Sequence, residues 1–239
     1  MKIVLSRKGF DSTAGGGPSP IVAGVPVSLP IPAGKGRPGI SYAALGLAGH
    51  AARASRGRVS GEDLAHHDPL FTPDGRCALG QCGAAQAHLE NCGVGPGDLF
   101  LFFGLFCEDG ASPHHRIFGW MFVEEVARVG DPAMRRLAAL GHPHALAAHG
   151  TNDAIWCGPG GRATSAHPEL QLSISDSRPS LWRVPGWIER AGLTYHPPGG
   201  RWQGGGVLQS ASRGQEFVAV AGDDADAHEW AHRMLALMA

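Results

Sequence analysis

The sequence predicts an α+β fold: a mixed, mostly antiparallel sheet or small barrel with flanking helices and long Gly/Pro-rich loops. Residues 99–106 form a continuous apolar run, which is typical of a strand buried on both faces. Residues 228–238 have the spacing of an amphipathic helix. The 36 glycines and 18 prolines among 239 residues stay just below the content of disordered sequence, so we expect an ordered, loop-rich chain.

The first half of the chain predicts short elements separated by turns. Residues 2–5 are a brief apolar run that stops at charged residues, as a strand entering a loop does. A second short strand is expected at 25–31, within a Gly/Pro/Ala/Arg-rich stretch, 24–61, that favours turns. The segment GQCGAAQAHLEN, residues 80–91, predicts a helix that ends at Gly93.

The second half predicts longer elements. The turn GPGD leads into the strand at 99–106, and a polar loop separates that strand from another at 117–126. Asp131 followed by Pro132 favours a helix start, and the helix is expected to reach residue 140. The remaining predicted elements are strands at 154–157, 170–175 and 216–220 and the helix at 228–238. Strands outnumber the helices inserted between them, which indicates the α+β class.

Composition limits the kind of protein. We expect one domain, residues 1–239, because no repeat or linker divides the sequence. No segment reaches the roughly 18 apolar residues of a membrane span, and the N-terminus lacks a secretory signal profile. The five cysteines form neither a CxxC pair nor a zinc-finger spacing, which favours a cytoplasmic protein with reduced thiols. The oligomeric state is left open.

The charge is unevenly distributed. The net charge is −1, yet residues 1–60 carry eight lysines and arginines and a single acidic residue. A basic first quarter can attract phosphates. It can equally pair with the acidic remainder of the fold. Overall charge therefore excludes a protein that coats duplex DNA and leaves local phosphate binding open.

The N-terminal segment carries the first candidate site. The predicted strand delivers Arg7, Lys8, Asp11 and Ser12 into a glycine-rich turn at residues 15–17. Lys8 and Asp11 are expected to form a charge pair that binds a phosphate or moves a proton, and the turn to form an anion-binding nest. The alternative is a surface salt bridge, with Asp11 only starting the turn.

Two histidine motifs are candidate metal sites. In HHDP, His66 and Asp68 form an HxD triplet whose side chains share a face if extended. HxD with a distant histidine, supplied by His142, His144 or His196, is the ligand set of non-haem Fe(II) oxygenases. The alternative for HHDP is a solvated turn. For His142-Pro143-His144, the alternative is a helix end, where histidine favours the helix dipole.

Two further segments can contact a base or a phosphate. Gln81 lies in the Gly/Ala-rich segment 80–91, and its side-chain amide can pair with an adenine edge. A packed helix is the alternative explanation for this segment. Near the end of the chain, RGQE places Arg213, Gln215 and Glu216 at the start of a strand. Arg213 suits a phosphate, Gln215 a base edge, and Glu216 an acid or base role.

The ordered segments resemble a known family. They are MKIVLSRKGFDSTAGGGPSPI, VSLPIP, HHDP, LGQCGAAQAHL, GVGPGDLFLFFG, RIFGWMFVEEV, HPH, SLWRVPGWI, LTYH and RGQEFV. Together they look like the third family of nucleotide modification associated domains, found with prokaryotic and phage systems that modify DNA bases. GPGD and the strands after it are also similar to PUA-like domains of the ASCH and EVE type, which seat one nucleotide or modified base in a cleft.

The leading hypothesis is an enzyme, or an enzyme's partner, that acts on a nucleotide or a nucleic-acid base. A non-catalytic reader of modified bases is the second hypothesis, and an Fe(II)-dependent base oxygenase is the third. The catalytic candidates are Lys8, Asp11, Asp68 and Glu216. The substrate-binding candidates are Arg7, Ser12, His66, Gln81, Arg213 and Gln215. The candidate cofactor is a divalent metal, with His66, Asp68, His142 and His144 as candidate ligands.

Overall fold

The computed structural model describes residues 1–212, 214 and 216–239. The strands in this part of the chain are β1 (Lys2–Arg7), β2 (Ser19–Val22), β3 (Val25–Pro26), β4 (Ile40–Ser41), β5 (Leu64–Ala65), β6 (Leu70–Phe71), β7 (Arg76–Gln81), β8 (Leu99–Cys107), β9 (His114–Phe122), β10 (Glu125–Arg128), β11 (Ala154–Arg162), β12 (Leu181–Arg183), β13 (Val207–Gln209) and β14 (Glu216–Val220). The α-helices are α1 (Ala48–Ser55), α2 (Gly83–Asn91), α3 (Pro132–Ala139), α4 (Pro143–Leu146), α5 (Gly186–Ala191) and α6 (Ala225–Met238).

Most strands join one curled, mostly antiparallel sheet that forms a half-barrel. Its main path runs β14-β1-β8-β9-β11-β7-β6, with β10 on β11 and β2 on β8. Within this sheet β1 and β2 run parallel to β8. The α+β class with a mixed sheet is therefore confirmed. In the described part of the chain, no helix is both long enough and apolar enough to cross a membrane.

β8 is the centre of the core, as its apolar run predicts. Leu99, Leu101 and Phe103 point to one face, where they pack in a cluster that also holds side chains of α5 and α6. Phe100 and Phe102 point to the other face and pack in a cluster shared with α2 and β11. All five side chains are fully buried. A strand covered on both faces fixes its neighbour β1 firmly, and β1 ends at the candidate site.

Several predicted elements are confirmed with small changes of length. The predicted strands at 2–5, 99–106, 154–157 and 216–220 are β1, β8, β11 and β14. The helix predicted from residue 132 is α3, and the C-terminal helix is α6. α6 begins earlier than predicted, because the Asp224 carboxylate caps it by accepting hydrogen bonds from the backbone N–H groups of Asp226 and Ala227.

Other boundaries are wrong for identifiable reasons. Residues 80 and 81 belong to β7, and α2 starts only at Gly83, because small residues before it give no helix start signal. The strand predicted at 170–175 is not formed. Leu170 and Leu172 are buried as in a strand, but this segment pairs with its neighbours only through isolated β-bridges. The strand at 25–31 shrinks to β3. The strand at 117–126 is divided between β9 and β10.

Candidate functional site

One cleft of about 440 Å³ gathers most of the residues predicted for the site. Lys8 and Asp11 reach it from the loop after β1, His66 and Asp68 from the loop between β5 and β6, and Gln81 from the end of β7. These segments are far apart in sequence and meet because β1 and β7 belong to one curled sheet. A cavity of this size suits a nucleotide-sized ligand.

A buried carboxylate organises one side of the cleft. Glu216 is 1% exposed, and its Oε1 accepts hydrogen bonds from Lys8 Nζ at 2.8 Å, from Ser6 Oγ at 3.1 Å and from Gln81 Nε2. The register of β1 against β14 creates this meeting by placing Ser6 opposite Glu216. Since a carboxylate only accepts, the amide orientation of Gln81 is fixed. We call these four residues the Glu216 network.

The predicted pairing of Lys8 with Asp11 is replaced by the ion pair of Lys8 with Glu216. Asp11 instead holds its own turn. Its Oδ1 accepts hydrogen bonds from the backbone N–H of Thr13, the Thr13 hydroxyl and the backbone N–H of Ala14, each at 2.7 Å. This is the local bonding by which aspartate stabilises turns. Asp11 lines the cleft, but one carboxylate oxygen is committed to the backbone.

The glycines of residues 15–17 serve packing. A Cβ there would lie 2.3 Å from the Phe10 ring, 1.7 Å from the Arg58 guanidinium and 2.2 Å from the Ala54 carbonyl oxygen, respectively. The turn therefore lies against α1 and outside the cleft. Ser12 is exposed and also outside the cleft. The predicted anion nest does not face the candidate ligand.

Arg7 lines the cleft but is held by the protein. Its guanidinium donates to the carbonyl oxygens of Ala211 at 2.8 Å and Ser212 at 3.2 Å, and lies over two core phenylalanine rings. Burial lowers the pKa of this guanidinium. Its bonds anchor the loop that precedes Glu216. Arg213 and Gln215, both predicted substrate contacts, lie outside the described residues.

Arg37 is a cation of the cleft that the sequence reasoning missed. It is exposed, and Nη1 donates to the Ala148 carbonyl oxygen at 2.8 Å. The only sequence signal was the excess of basic residues in the first quarter. With a single backbone contact among the described residues, most of its N–H donors are available to a ligand.

The HHDP loop places alternate side chains in different cavities. His66 and Asp68 line the cleft, with His66 Nε2 3.8 Å from Asp68 Oδ2. His67 lines a second cavity of about 480 Å³ together with Arg162. Burial and then the Arg162 charge lower the pKa of His67 to about 4. Within HHDP, His66 therefore lines the cleft, His67 lines the second cavity, and Asp68 borders both.

Four histidines and two aspartates cluster on the other side of the cleft, where His142 and Asp153 are buried behind the lining residues. We call them the histidine cluster, and its members are His66, His142, His144, His149, Asp68 and Asp153. His142 and His144 flank Pro143 at the start of α4, and His149 and Asp153 precede β11. Gly80 makes room for the cluster, since a Cβ there would lie 2.2 Å from the His144 ring.

Asp68 lies at the centre of the histidine cluster. Its Oδ1 accepts the backbone N–H of Gly80 at 2.9 Å and lies 3.4 Å from His142 Nε2, and its Oδ2 lies 4.0 Å from His144 Nε2. Burial opposes ionisation of this carboxyl, but the imidazoles of His142, His66 and His144 prevail and hold its pKa well below the usual range. Asp68 is an anion in contact with imidazoles.

Three ring nitrogens in the histidine cluster have no hydrogen-bond partner among the described residues. They are His149 Nε2 and both nitrogens of the fully buried His142. Burial lowers the pKa of His144 and of His149, so both imidazoles are neutral near pH 7. Neutral imidazoles with free lone pairs are the form that binds metal ions. The sequence reasoning missed His149 and Asp153.

The remaining histidine suggested for the HxD motif is elsewhere. His196 Nδ1 lies 2.8 Å from the Thr194 carbonyl oxygen, and its Nε2 accepts the backbone N–H of Ala211 at 2.9 Å. Both nitrogens are therefore used to fix loops. Among the three distant histidines proposed from the sequence, His142 and His144 join His66 and Asp68, and His196 does not.

Comparison with known proteins gives one finding about family. A family model described as nucleotide modification associated domain 3 matches residues 2–220. The match covers nearly the whole chain, so the chain belongs to this family. Neither the comparison with curated proteins nor that with solved structures gives a match. The weaker likeness to PUA-like domains stays a prediction.

Proposed function

We propose that this member of the nucleotide modification associated domain 3 family is an enzyme that acts, in the cleft, on a nucleotide or on a base within nucleic acid. The observation that carries the proposal is the convergence of Lys8, His66, Asp68 and Gln81 from three distant segments. Cationic, carboxylate and imidazole groups in one cleft supply phosphate binding and proton transfer together. The family description supports the nucleotide substrate.

The cationic groups suit a phosphate at the mouth of the cleft. Arg37 is exposed there, and Lys8 is held deeper by Glu216. The Lys8 ammonium has three N–H donors and gives one of them to Glu216. The others can bind an oxygen atom of a ligand. Gln81, fixed by the same carboxylate, can present its amide oxygen to a base edge. The Glu216 network thus positions two substrate-binding groups.

The reactive groups suit proton transfer beside that phosphate. Asp68 is proposed to accept a hydrogen bond from the group that loses a proton, because its carboxylate stays charged and its Oδ2 faces His66 and His144. His66 is partly exposed and lies between this carboxylate and the cleft, so it is placed to contact what binds there. Asp11 contributes less than expected from the sequence, since its Oδ1 is used by the turn.

An enzyme is favoured over a reader of modified bases. A reader is expected to stack the base on aromatic side chains. The described residues that line the cleft include no phenylalanine, tyrosine or tryptophan. They include several titratable groups, which simple binding does not need. We also propose a cytoplasmic location, which the five unpaired cysteines support.

A binding experiment tests the substrate class. The four deoxynucleoside 5′-monophosphates and their nucleosides are titrated into the protein by calorimetry. We expect at least one monophosphate to bind more tightly than its nucleoside, and Arg37→Ala to weaken it about tenfold through loss of a charge-assisted contact. Arg135→Ala, an exposed arginine on α3, is the matched control. Equal losses from both variants would contradict a phosphate site at Arg37.

A cellular experiment separates the enzyme from the reader. Nucleosides from cells that express the wild-type protein are compared by mass spectrometry with those from cells that express Asp68→Asn. The enzyme predicts a nucleoside of new mass, or the loss of one, only with the wild-type protein. Nucleotide binding in the calorimeter with identical nucleoside profiles in both cells would indicate the reader.

A further inference from the structure

Three imidazoles of the histidine cluster meet at one point of the cleft. One ring nitrogen each from His66, His144 and His149 lies within 4.8 Å of the other two. The rings of His144 and His149 are stacked with centroids 4.1 Å apart, and His66 stands edge-on to both at 5.2 Å. Three nitrogens bound tetrahedrally to one zinc ion lie about 3.4 Å apart, so side-chain adjustment can close this group around an ion.

Two of these imidazoles have a fixed protonation pattern. His144 Nδ1 lies 2.5 Å from the Asp153 carboxylate, and His149 Nδ1 lies 2.7 Å from the Ala147 carbonyl oxygen. Both partners only accept hydrogen bonds, so each Nδ1 carries the hydrogen and each Nε2 presents a lone pair. Carboxylate or carbonyl partners on the far nitrogen are the usual second shell of metal-binding histidines.

The lone pair on His149 Nε2 accepts no hydrogen bond from the described residues. His149 Nε2 is buried and has no hydrogen-bond partner among the described residues. Asp153 also binds the backbone N–H of His149 at 2.6 Å, so one buried carboxylate holds both histidines in place. A buried acceptor without a partner costs free energy, and a ligand at this point removes that cost.

We propose that His66, His144 and His149 bind one divalent transition-metal ion through one nitrogen each, with Zn²⁺ as the best fit. Three imidazole ligands suit zinc and leave an open coordination position, as in catalytic sites. The ion faces the cleft that holds the substrate, so the inference deepens the proposed function by naming its cofactor class. Such an ion polarises a substrate oxygen or activates a water molecule.

Asp68 is assigned as a neighbour of the ion because His149 Nε2, and not this carboxylate, is the buried atom without a partner at this point. The spacing of Asp68 Oδ2 from the imidazoles also suits a ligand. Its Oδ1 is used by Gly80 and faces His142, and its Oδ2 is 3.8 and 4.0 Å from Nε2 of His66 and His144. This carboxylate can accept a hydrogen bond from water at the open position. The rival arrangement makes His66, Asp68 and His144 the ligands, which is the facial triad of Fe(II) oxygenases.

Metal alone is the probe that tests the site. Untagged protein is freed of metal with a chelator and titrated with Zn²⁺ and with Co²⁺, whose visible absorption reports its coordination. We expect one equivalent of either ion to bind, and His149→Ala to abolish tight binding. Asp153→Asn should weaken Zn²⁺ about 10- to 100-fold, as loss of a second-shell partner does. His67→Ala and the exposed His232→Ala are controls that retain the ion.

The outcomes separate the alternatives. Metal binding lost in Asp68→Asn and retained in His149→Ala would overturn the three-histidine site in favour of the facial triad. Absence of stoichiometric binding by the folded wild-type protein would overturn both. The metal titration contains no nucleotide, so its result is independent of the calorimetric test of Arg37. Either proposal can therefore be contradicted while the other is supported.

Discussion

The Glu216 network and the histidine cluster face the same cleft but differ in how their polar atoms are satisfied. Glu216 Oε1 receives three donors, whereas its buried Oε2 has no partner among the described residues. In the histidine cluster, His149 Nε2 and both nitrogens of His142 find no partner among the described residues. Protein donors thus hold one oxygen of a buried carboxylate in the first set, whereas in the second the unpartnered atoms are ring nitrogens that a metal ion or a ligand donor can use.

The two regions therefore predict different responses to mutation. Removing Lys8 leaves the buried Glu216 charge without its cation, whereas removing an imidazole from the histidine cluster mainly removes a binding group. Mutations in the first region should therefore lower stability most, and mutations in the second should lower metal binding most. The following experiments test this difference, from the largest expected effect to the smallest.

Lys8→Ala should lower the free energy of unfolding by about 3–5 kcal/mol, because Glu216 then stays buried without its cation. Urea denaturation measures the loss. Lys35→Ala is the control, since Lys35 is exposed and should change stability by less than about 0.5 kcal/mol. A loss of under about 1 kcal/mol for Lys8→Ala would show that the Glu216 network does not depend on this ion pair.

Gly17→Ala should lower stability by about 1–3 kcal/mol, because the added Cβ would lie 2.2 Å from the Ala54 carbonyl oxygen. Nucleotide affinity should not change, because this turn lies outside the cleft. Gly49→Ala within α1 meets no atom within 4 Å and should raise stability by about 0.5–1 kcal/mol. Weakened nucleotide binding by Gly17→Ala at unchanged stability would restore the anion-nest hypothesis.

His115 is a half-buried histidine outside the cluster with a satisfied nitrogen, since Trp182 Nε1 donates to its Nδ1 at 3.0 Å. Burial and then the Arg7 charge lower the pKa of His115 to about 3, although Asp11 opposes the shift. Between about pH 6.5 and 3 the unfolded state binds the extra proton, so stability falls as pH falls, by up to about 1.4 kcal/mol per pH unit for this residue.

Denaturation curves of wild-type protein and His115→Gln at pH 7 and pH 5 check this dependence. The variant keeps an acceptor for Trp182 but cannot be protonated, so its stability should fall less on acidification. Parallel losses in the two proteins would show that His115 does not contribute to acid sensitivity.

Ser12→Ala should have the smallest effect, a change in stability within about 0.5 kcal/mol and no change in nucleotide affinity. Ser12 is exposed and does not line the cleft, although the sequence made it a substrate-binding candidate. Calorimetry with the same monophosphates measures the affinity. A clear loss of affinity would show that the nucleotide contacts the N-terminal turn outside the cleft.

The sequence predicts the strands and much of the cleft, because apolar runs and chain breaks are local signals. β1, β8 and β14 are evident from composition, and the HxD spacing predicts that His66 and Asp68 share a side. The pairing of Lys8 with Glu216 could not be predicted, since it depends on the register of β1 against a strand 210 residues away from Ser6.

The missed residues have the same explanation. His149 and Asp153 carry no motif of their own, and they reach His66 only because β11 pairs with β7 and places Ala154 opposite Gln81. Arg37 lies in a loop whose composition indicates turns but not their direction. Long-range strand pairing, and not local propensity, assembles the histidine cluster.

Anomalous diffraction at the zinc edge, from crystals of wild-type protein grown with Zn²⁺, tests the central claim most directly. The account predicts one strong peak bonded to nitrogens of His66, His144 and His149, with its open side towards the cleft, and no such peak for His149→Ala. A peak bonded to Asp68 without His149, or no peak in the histidine cluster, would contradict it.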